Sequence, residues 1–537
     1  MHFAFLFPPF HPQITRFEQF LSGFWSDGIS QPNNLLATAL TLLTVALFFC
    51  CYKFVNKKPT NGDKLPSPPG PRGLPLLGNL LSLQPELHTY FTDLARTYGP
   101  IYKFQLGNKE GIVISSPSLA KEVLKDYDTT FANRDVPAVA KILAYGGKDI
   151  AWTPLGEEWR MLRKVCVREL LGNVSLDAVS SLRRIEVRRM VRHVYGKIGS
   201  PINVGEEMFL TVMNVLTNMM WGGTLKGDDG TNLGAEFRQV VNEITDLLGK
   251  PNISDFYPAL EIFDLQGSQK KIKVLGDRFD KIFDAIIEQR LKMKEREIKR
   301  SKDFLQLLLK LKEEEDAKMP FTMLHLKALL MDMVVGGTDT TSNSIEWAVA
   351  ELMNKPESMK KAQEELDRVV GKDNIVEESH LPELNYLHLV MKEILRLHPA
   401  LPLLIPHCPT SSCGVGGYMV HKGSRVFINV WAIHRDPTIW DNPSEFDPER
   451  FVSGKWDYSA SNFKYFPFGS GRRICAGIAM AERMFLYELA TMLHSFDWSL
   501  REGEKMDLKE KFGIVLKKAT PLVAVPTPRL SGLSLYV

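Results

Sequence analysis

The stretch Phe466-Pro-Phe-Gly-Ser-Gly-Arg-Arg-Ile-Cys-Ala-Gly477 carries a single cysteine at the end of a turn that contains glycines. Cys475 lies just before the apolar, helix-like segment Ile478–Leu493. Glycine has no side chain, so the backbone here can approach a flat ligand closely. The two adjacent arginines and the start of a helix favour thiolate over thiol, and the thiolate is the form that ligates metal. The stretch therefore predicts a metal-ligating cysteine.

Five positions of this stretch have to be explained together. A lone cysteine is usually a small buried hydrophobe, but the chain also fixes Phe468, Gly471, Arg473 and Gly477 around Cys475. This frame resembles the haem-binding loop of the cytochrome P450 superfamily, the haem-thiolate monooxygenases. A cysteine thiolate makes haem iron electron-rich and favours cleavage of an O–O bond. The resemblance implies that Cys475 is the axial ligand of haem b and that the other four residues contact the cofactor, with dioxygen as co-substrate.

Length and composition describe a large globular chain of 537 residues, 44% hydrophobic and 24% charged, with a net charge of +3. No repeat or long linker divides the region after residue 74, so we predict one domain over 74–528 and a short tail over 529–537. The near-neutral charge gives no reason to expect nucleic acid as a partner. Six cysteines in a chain of this length do not resemble a disulfide scaffold, which favours a reducing compartment.

The N-terminal part contains an apolar run, Leu35–Val55, with Lys53 as its one charged residue. About 20 apolar residues cross a bilayer, so we predict a transmembrane anchor over 35–55 in contact with membrane lipid. A cleaved signal peptide is the alternative, but its apolar region would be shorter and nearer Met1. Basic residues follow the run, which places the catalytic domain in the cytosol and residues 1–34 in the lumen as a disordered or interfacial lead-in. Residues 56–73 form a basic, Pro-rich hinge.

Helical apolar spacing dominates the region after the hinge, and short alternating segments such as Ile101–Gly107 and Arg425–Val430 predict strands. We therefore predict a mostly α protein with small β-sheets. Together with the haem-loop resemblance this implies the cytochrome P450 fold, a single large haem domain behind the N-terminal anchor. The likeness to anchored microsomal members implies a single-pass protein of the endoplasmic reticulum membrane.

A long helix is predicted from Thr322 to about Met353, with Gly336-Gly-Thr-Asp-Thr-Thr341 in its middle. Two adjacent glycines inside a helix cost ~1 kcal/mol each relative to alanine. They allow either a close helix crossing or the approach of a flat macrocycle. The segment resembles the oxygen-activation motif of the superfamily, which implies that Asp339 and Thr340 are catalytic and deliver protons.

Glu393 and Arg396 stand three residues apart on one predicted helix face, where an exposed pair is worth only ~0.2–0.5 kcal/mol. With Pro448-Glu-Arg-Phe451 downstream, they resemble the Glu–Arg–Arg core of the superfamily. The resemblance implies that Glu393, Arg396 and Arg450 serve folding and haem retention, with no part in the chemistry.

Two further segments resemble parts of the superfamily that face the haem propionates. Trp159-Arg-Met-Leu-Arg163 is similar to its Trp-x-x-x-Arg motif, and Ile405-Pro-His407 lies where members carry an arginine or histidine. The resemblance implies cofactor contacts for Trp159, Arg163 and His407. An isolated tryptophan is more often a core residue, and this alternative stays open for Trp159.

No nicotinamide or flavin site is evident, because Gly469-Ser-Gly471 lacks the further glycine and the strand context of a dinucleotide fold. Electrons must then come from a partner, and the resemblance implies the membrane-bound NADPH–cytochrome reductase. A basic surface would suit an acidic flavoprotein, although a merely solvated basic face is the alternative. The candidate residues of this surface are Arg160, Lys164, Lys464, Arg472 and Arg473.

The residues expected to line the substrate pocket are almost all apolar, which suits a small hydrophobic substrate. They are Leu329, Met333, Val334, Gly336, Leu403, Leu404, Ile405 and Ile514.

The segments His398–Cys408, Trp431–Pro437 and Phe512–Lys518 resemble the plant subgroup that includes delta-cadinene hydroxylase, which implies a terpenoid, in particular a sesquiterpene, as substrate. A flavonoid or another phenolic metabolite is the alternative. Two different classes are an oxygen-independent haem-thiolate isomerase or dehydratase, which often lacks the threonine present here as Thr340, and a non-catalytic haem-binding membrane protein.

Overall fold

Helices make up most of the part of the chain that this computed structural model describes, namely residues 65–222, 230–293, 303–313, 319–458 and 462–537. The prediction of a mostly α protein is confirmed. The α-helices are α1 (Leu87–Tyr98), α2 (Pro117–Lys121), α3 (Asp128–Phe131), α4 (Ala138–Leu143), α5 (Glu157–Lys164), α6 (Asn173–Ala178), α7 (Ser180–Tyr195), α8 (Val204–Trp221), α9 (Gly230–Gly249), α10 (Ile253–Phe256), α11 (Ser268–Leu291), α12 (Phe304–Glu313), α13 (Met323–Asn354), α14 (Pro356–Val369), α15 (Asn385–Leu397), α16 (Val430–Ile433) and α17 (Ile478–Ser495).

Strands are short and form four small sheets among the described residues. They are β1 (Ile101–Leu106), β2 (Lys109–Ile114), β3 (Ile202–Asn203), β4 (Cys413–Val415), β5 (Tyr418–Val420), β6 (Arg425–Ile428), β7 (Phe496–Ser499), β8 (Glu510–Lys511), β9 (Lys517–Lys518) and β10 (Val523–Pro528). β1 and β2 are an antiparallel pair, and β2 pairs in parallel with β6. The other sheets have the orders β3-β10-β7, β4-β5 and β8-β9. Both strands predicted from alternation, β1 and β6, are therefore neighbours of β2.

The long helix α13 begins where the sequence predicts it. Thr322 is its N-cap in a capping box, since Thr322 Oγ1 accepts from the backbone of His325 and His325 Nδ1 accepts from the backbone of Thr322. Pro356 follows its last turn, and a proline disfavours helix in the residue before it. Most of its side chains are buried on all sides, as expected for a helix that crosses the centre of a core.

A buried histidine, His434, forms a hydrogen bond to the loop that precedes α17. His434 follows α16 and is fully buried, and its Nε2 accepts the backbone N–H of Phe466 at 3.1 Å. Burial and the charges of Arg396 and Arg435 lower the pKa of His434 to about 3. The ring is therefore neutral, and its lone pair fixes the first residue of the stretch that ends at Cys475.

The described residues from Leu77 onward belong to one compact unit. The predicted lead-in (1–34) and anchor (35–55) lie outside the described residues, as does the hinge up to residue 64. Within the described ranges, no helix is both long enough and apolar enough to span a bilayer.

Candidate active site

Cys475 is held in place by backbone hydrogen bonds on both sides. Its N–H donates to the carbonyl of Phe468 at 3.0 Å, and the N–H of Gly477 donates to its Sγ at 3.3 Å. Cys475 is surrounded by protein, but part of its own surface is still accessible. This accessible side therefore faces an internal space. Burial raises the pKa of the thiol, against the lowering effect of the Gly477 N–H and the Arg163 charge. A bound metal ion deprotonates such a thiol outright.

Two glycines of this loop, Gly469 and Gly471, have positive φ, where a side chain is strained. Gly471 has φ = +70°, and a side chain there would overlap the carbonyl oxygen of Leu124. Gly477 differs, because its φ is −96° and a methyl group would lie 3.9 Å from Cys475 Sγ, which is ordinary contact. Phe468 packs edge-on against Tyr458 with ring centroids 5.2 Å apart.

The two glycines of α13 have different surroundings. A methyl group at Gly337 would lie 2.9 Å from Leu216 Cδ1 on α8, so this glycine serves a close helix crossing. A methyl group at Gly336 would meet nothing within 4 Å, although α13 is otherwise buried. The hydroxyl of Thr340 donates to the carbonyl of Gly336 at 2.7 Å, one turn earlier. Gly337 therefore serves the helix crossing, whereas Gly336 leaves open space beside Thr340.

Asp339 is 1% exposed and has two neighbours that the sequence did not suggest. The side-chain amide of Asn343 donates to Asp339 Oδ1 at 3.0 Å. Lys517 Nζ lies 2.9 Å from Asp339 Oδ2 and forms an ion pair with it, but the angle is not that of a hydrogen bond. Lys517 is partly exposed and also donates to Asn242 on α9 at 3.3 Å. The strand β9 therefore brings a cation from the surface to the buried acid of α13.

Basic side chains gather near Cys475. Burial and the charge of Arg473 lower the pKa of Arg134 to about 9, and burial lowers the pKa of Arg473 to about 10 against the raising effect of the Asp149 charge. His407 is 5% exposed, and burial and these two guanidinium groups lower its pKa well below the usual range. Within the described residues, no carboxylate forms an ion pair with Arg134, Arg163 or Arg473. A cluster of buried cations without paired carboxylates fits an anionic ligand.

This donor set fits haem b. The thiol of Cys475 is the soft ligand that iron takes, Gly336 leaves room beside α13, and the basic cluster matches the two propionate groups. Arg134 is a member that sequence reasoning missed. Its guanidinium donates to the carbonyl oxygens of Ile405 and Pro406, and nothing in its local sequence marks it. Only the fold reveals it, by placing it beside Arg473.

The ring of Trp159 packs against Arg473. Its indole N–H is already bonded and is not free to donate to a ligand beside the basic side chains. Its indole N–H donates to the carbonyl of Ile150 at 3.2 Å, and its ring lies under the Arg473 guanidinium, 4.7 Å from it. The same carbonyl accepts from Arg473 Nη1 at 3.1 Å, and the carbonyl of Thr153 accepts from Nη2 at 2.6 Å. His407 Nδ1 is bonded to the carbonyl of Phe131 at 2.9 Å, so the neutral ring presents a lone pair at Nε2.

The structure brings Glu393, Arg396 and Arg450 together. Glu393 and Arg396 are both 0% exposed, with Nε–Oε2 and Nη2–Oε1 distances of 2.7 and 2.8 Å. Arg450 Nε donates to Glu393 Oε1 at 3.1 Å. The value of ~0.2–0.5 kcal/mol holds for an exposed i, i+3 ion pair. It does not apply to Glu393 and Arg396, because both side chains are fully buried. Arg396 also donates to three backbone carbonyls, of His434, Pro443 and Glu445.

A cavity of about 930 Å³, counted with its open mouth, has four of the eight residues expected at the substrate pocket in its lining. Leu403, Leu404, Ile405 and Ile514 line it, whereas Leu329, Met333, Val334 and Gly336 do not. The first three of these α13 residues are packed in the main hydrophobic core instead. Six aromatic side chains also line the cavity, those of Phe91, Phe104, Trp152, Phe256, Phe427 and Phe512, together with leucines, prolines and the charged residues Asp135, Lys250, Asp255 and Arg425.

Two carboxylates correct the expectation of an almost wholly apolar lining. Asp135 is paired with Arg425 at 2.6 Å and with Lys109 at 2.8 Å. Asp255 accepts the backbone N–H of Ala138 through Oδ1 at 2.7 Å, and burial raises its pKa. No residue of the cysteine loop is part of this lining, so the cavity is not the space at the Cys475 sulfur.

The predicted basic surface is present in part. Arg160 and Lys164 are exposed and flank, with Arg168, an open depression on α5 and the turn after it. Lys464 is exposed, and Arg472 is exposed but bonded to Asp128. Arg473 is a correction, because its guanidinium donates inward to backbone carbonyls and is not available to a partner.

Comparison with known proteins agrees with this arrangement. The family model described as cytochrome P450 matches residues 68–525. The chain is 38% identical to a flavonoid 3'-monooxygenase of Petunia hybrida over 92% of its length and 98% of the relative's. It is 39% identical to a 3,9-dihydroxypterocarpan 6A-monooxygenase of Glycine max over 86% of its length and 93% of the relative's.

A solved structure of a zebra fish cytochrome P450 with progesterone is similar to this fold. Its TM-score is 0.72 at 25% sequence identity, and the match covers 83% of this chain and all of that one. The relatives with flavonoid and pterocarpan names favour the phenolic alternative over the sesquiterpene subgroup. The chain therefore belongs to the cytochrome P450 family of monooxygenases, which use haem b, dioxygen and electrons from NADPH supplied through a reductase.

Proposed function

We propose that this plant-type cytochrome P450 hydroxylates a phenolic metabolite of the flavonoid class. The observation that carries the proposal is the similarity, over nearly the whole chain, to a flavonoid 3'-monooxygenase. A second relative has a name that specifies a dihydroxylated substrate.

The cavity supports the same class of substrate. Aromatic side chains stack on planar rings, and six of them line the walls. The carboxylate of Asp255 is a hydrogen-bond acceptor for a phenolic hydroxyl, which a purely hydrocarbon terpene does not offer.

We infer the following roles for the site residues. Cys475 ligates the haem iron, and the haem supplies the oxygen chemistry when bound. Arg134, Arg163, Arg473 and His407 hold the propionates, whose negative charge would raise the pKa of His407 and make its Nε2 a donor. Trp159, Phe468, Gly471 and Gly477 shape this pocket. Asp339 and Thr340 move protons on the α13 side, where Gly336 leaves space.

We propose that residues 35–55 anchor the protein in the endoplasmic reticulum membrane, with the catalytic domain in the cytosol and 1–34 in the lumen. The exposed cations Arg160, Lys164 and Arg168 would then dock the acidic surface of NADPH–cytochrome reductase. Charge reversal at Lys164 should slow reduction of the haem by the reductase and leave reduction by dithionite unchanged. Equal loss with both reductants would contradict a docking role.

Turnover tests the proposed substrate class. Microsomes that contain this protein and the reductase are supplied with NADPH and with separate panels of flavonoids and sesquiterpenes, and products are read by mass spectrometry for the gain of one oxygen. NADPH-dependent product from flavonoids is expected. Product from sesquiterpenes alone would restore the terpenoid reading, and NADPH-independent product would favour an isomerase or dehydratase. A haem-loaded protein without any product would favour a binding protein.

A further inference from the structure

Glu510 on β8 is a largely buried carboxylate that binds side chains from three separate regions of the chain. Its side chain is 13% exposed. Glu510 Oε2 accepts the indole N–H of Trp431 on α16 at 2.9 Å and lies 3.1 Å from Nε2 of His88 on α1. Glu510 Oε1 lies 2.8 Å from Nδ1 of His398, the residue after α15, and accepts from Arg435 Nη2 at 3.1 Å. These donors occupy the roughly four lone-pair sites of a carboxylate.

The donors around this carboxylate are themselves fixed in the core. His398 Nε2 lies 2.8 Å from Glu351 Oε1 on α13, and the histidine ring stacks on Trp347 of the same helix with centroids 3.8 Å apart. The Arg435 guanidinium lies over the ring of Trp431, 4.1 Å from its centroid. The carboxylate is therefore a point at which β8 is attached to the helices of the core.

The arrangement requires Glu510 in its ionised form. Burial by itself would raise the pKa of this carboxyl group, but the hydrogen bonds to His398 and His88 and the charge of Arg435 hold the pKa well below its usual range. An amide of the same size could accept at one end only, because an amide nitrogen has no lone pair to offer. The two donors at the other end would then lose their acceptor inside the protein.

The residues that follow Glu510 form part of the cavity wall. Phe512 and Ile514 line the cavity. The ring of Phe512 stacks on His88 with centroids 5.6 Å apart, so the same histidine contacts both the carboxylate and the cavity side chain. On the other side, a methyl group at Gly249 of α9 would lie 2.7 Å from the backbone nitrogen of Ile514, which leaves little room for the segment to shift toward α9.

The same segment carries Lys517 to the buried acid of α13. β8 and β9 form two residue pairs, Glu510 with Lys518 and Lys511 with Lys517. A hairpin this short is at best marginally stable by itself. Lys517 Nζ lies 2.9 Å from Asp339 Oδ2, so its place there depends on how β8 is attached to the core.

We propose that Glu510 is a positioning residue, whose carboxylate holds residues 510–518 against the core. Held in this way, Phe512 and Ile514 shape the cavity, and Lys517 reaches the acid of α13. The inference rests on the proposed function, because it assigns this cavity to the substrate. Loss of the carboxylate shifts both features together, while the iron ligand stays in place, since none of the four bonds of Glu510 involves the cysteine loop.

Hydrogen–deuterium exchange of the substrate-free holoprotein tests whether Glu510 holds the segment. Amides of residues 511–518 should exchange at least about tenfold faster in Glu510→Gln than in the wild type, because two buried donors lose their acceptor. Exchange in α17 should stay at the wild-type rate. Unchanged exchange over residues 511–518 would overturn the proposal, and so would faster exchange throughout the domain. Glu510→Asp, which keeps the charge on a shorter side chain, is the second variant, should Glu510→Gln fail to load haem, and it should show a smaller increase in the same residues.

The matched control is Glu504→Gln, which makes the same chemical change in the loop before β8. Glu504 is exposed, and its ion-pair partner Arg501 lies 3.7 Å away. Because an exposed pair contributes little, exchange and activity should match those of the wild type. Faster exchange over residues 511–518 in this control as well would overturn the role of Glu510, because the effect would then belong to any loss of charge near the hairpin.

Turnover per haem separates positioning from a purely structural role. With a compound that the wild type hydroxylates, Glu510→Gln should raise KM about tenfold and release more hydrogen peroxide per product. A purely structural role would lower the haem content and leave both quantities at their wild-type values, and that result would overturn the proposal.

The double variant of Glu510→Gln and Phe512→Leu tests whether the carboxylate acts through the cavity wall. Residues that act through one contact have non-additive effects, so KM of the double variant should exceed that of Phe512→Leu by less than about threefold. A further increase of about tenfold would overturn the action through Phe512. If no compound of either panel is turned over, the proposed function fails, and the exchange rates of residues 511–518 decide on Glu510 by themselves.

Discussion

Arg396→Met should remove most of the stability of the haem domain. Both partners of the Glu393–Arg396 pair are 0% exposed, and the substitution leaves Glu393 as a buried charge with Arg450 as its remaining ion-pair partner. Breaking a buried pair by removal of one partner costs about 3–5 kcal/mol. Three backbone carbonyls also lose a donor, at ~1–3 kcal/mol for each one left unsatisfied. Since whole proteins are stable by only ~5–15 kcal/mol, we expect little folded holoprotein.

The assay is the yield of thiolate-ligated haem, from the reduced carbon monoxide difference spectrum, together with urea unfolding of whatever protein is recovered. Arg368→Met is the matched control. Arg368 also stands three residues after a glutamate, Glu365, but its side chain is 68% exposed and the ion pair is 3.8 Å long. Such a pair is worth ~0.2–1 kcal/mol, so the control should retain its haem. Recovery of Arg396→Met with wild-type haem content and a loss below about 1 kcal/mol would refute the reasoning.

Three further predictions concern the site itself. Cys475→Ala should abolish the thiolate signature in the haem spectrum, whereas Cys413→Ala, at a partly exposed strand position, should leave it intact; the opposite pattern would remove Cys475 as ligand. Lys517→Met deprives Asp339 of its cation, so NADPH oxidation should continue with more hydrogen peroxide per product, and an unchanged ratio would exclude Lys517 from proton delivery. Gly471→Ala should prevent haem incorporation, because its side chain would overlap a backbone carbonyl at positive φ, and normal haem content would contradict that steric argument.

Much of the fold follows from local patterns. The helix predicted from Thr322 to about Met353 is α13, and the alternation in Ile101–Gly107 and Arg425–Val430 predicted β1 and β6. Such features are read from neighbours in sequence, and so they survive without knowledge of the tertiary structure. The i, i+3 spacing of Glu393 and Arg396 was equally visible, but their burial was not, since it depends on elements that lie elsewhere in the chain.

The candidate site shows the same division. Cys475 and Thr340 stand in local motifs, and the structure places each beside open space. Arg134 and Lys517 have no motif, because their importance comes from partners more than a hundred residues away, Arg473 and Asp339. Leu329 and Val334 were predicted to line the substrate pocket, and the structure packs both side chains in the main hydrophobic core. Which face of a helix meets a cavity is a tertiary property.

For engineering, the cavity has two kinds of wall. Phe104 and Phe427 project from the sheet of β1, β2 and β6, whose hydrogen bonds are independent of the cysteine loop. Trp152 belongs instead to the segment whose carbonyls hold Arg473. A library that varies the sheet-borne phenylalanines can therefore change substrate range while cofactor loading stays constant. Substitutions at Trp152 are expected to change haem content as well as the cavity. The catalytic rates of such variants should therefore be divided by their haem content before they are compared.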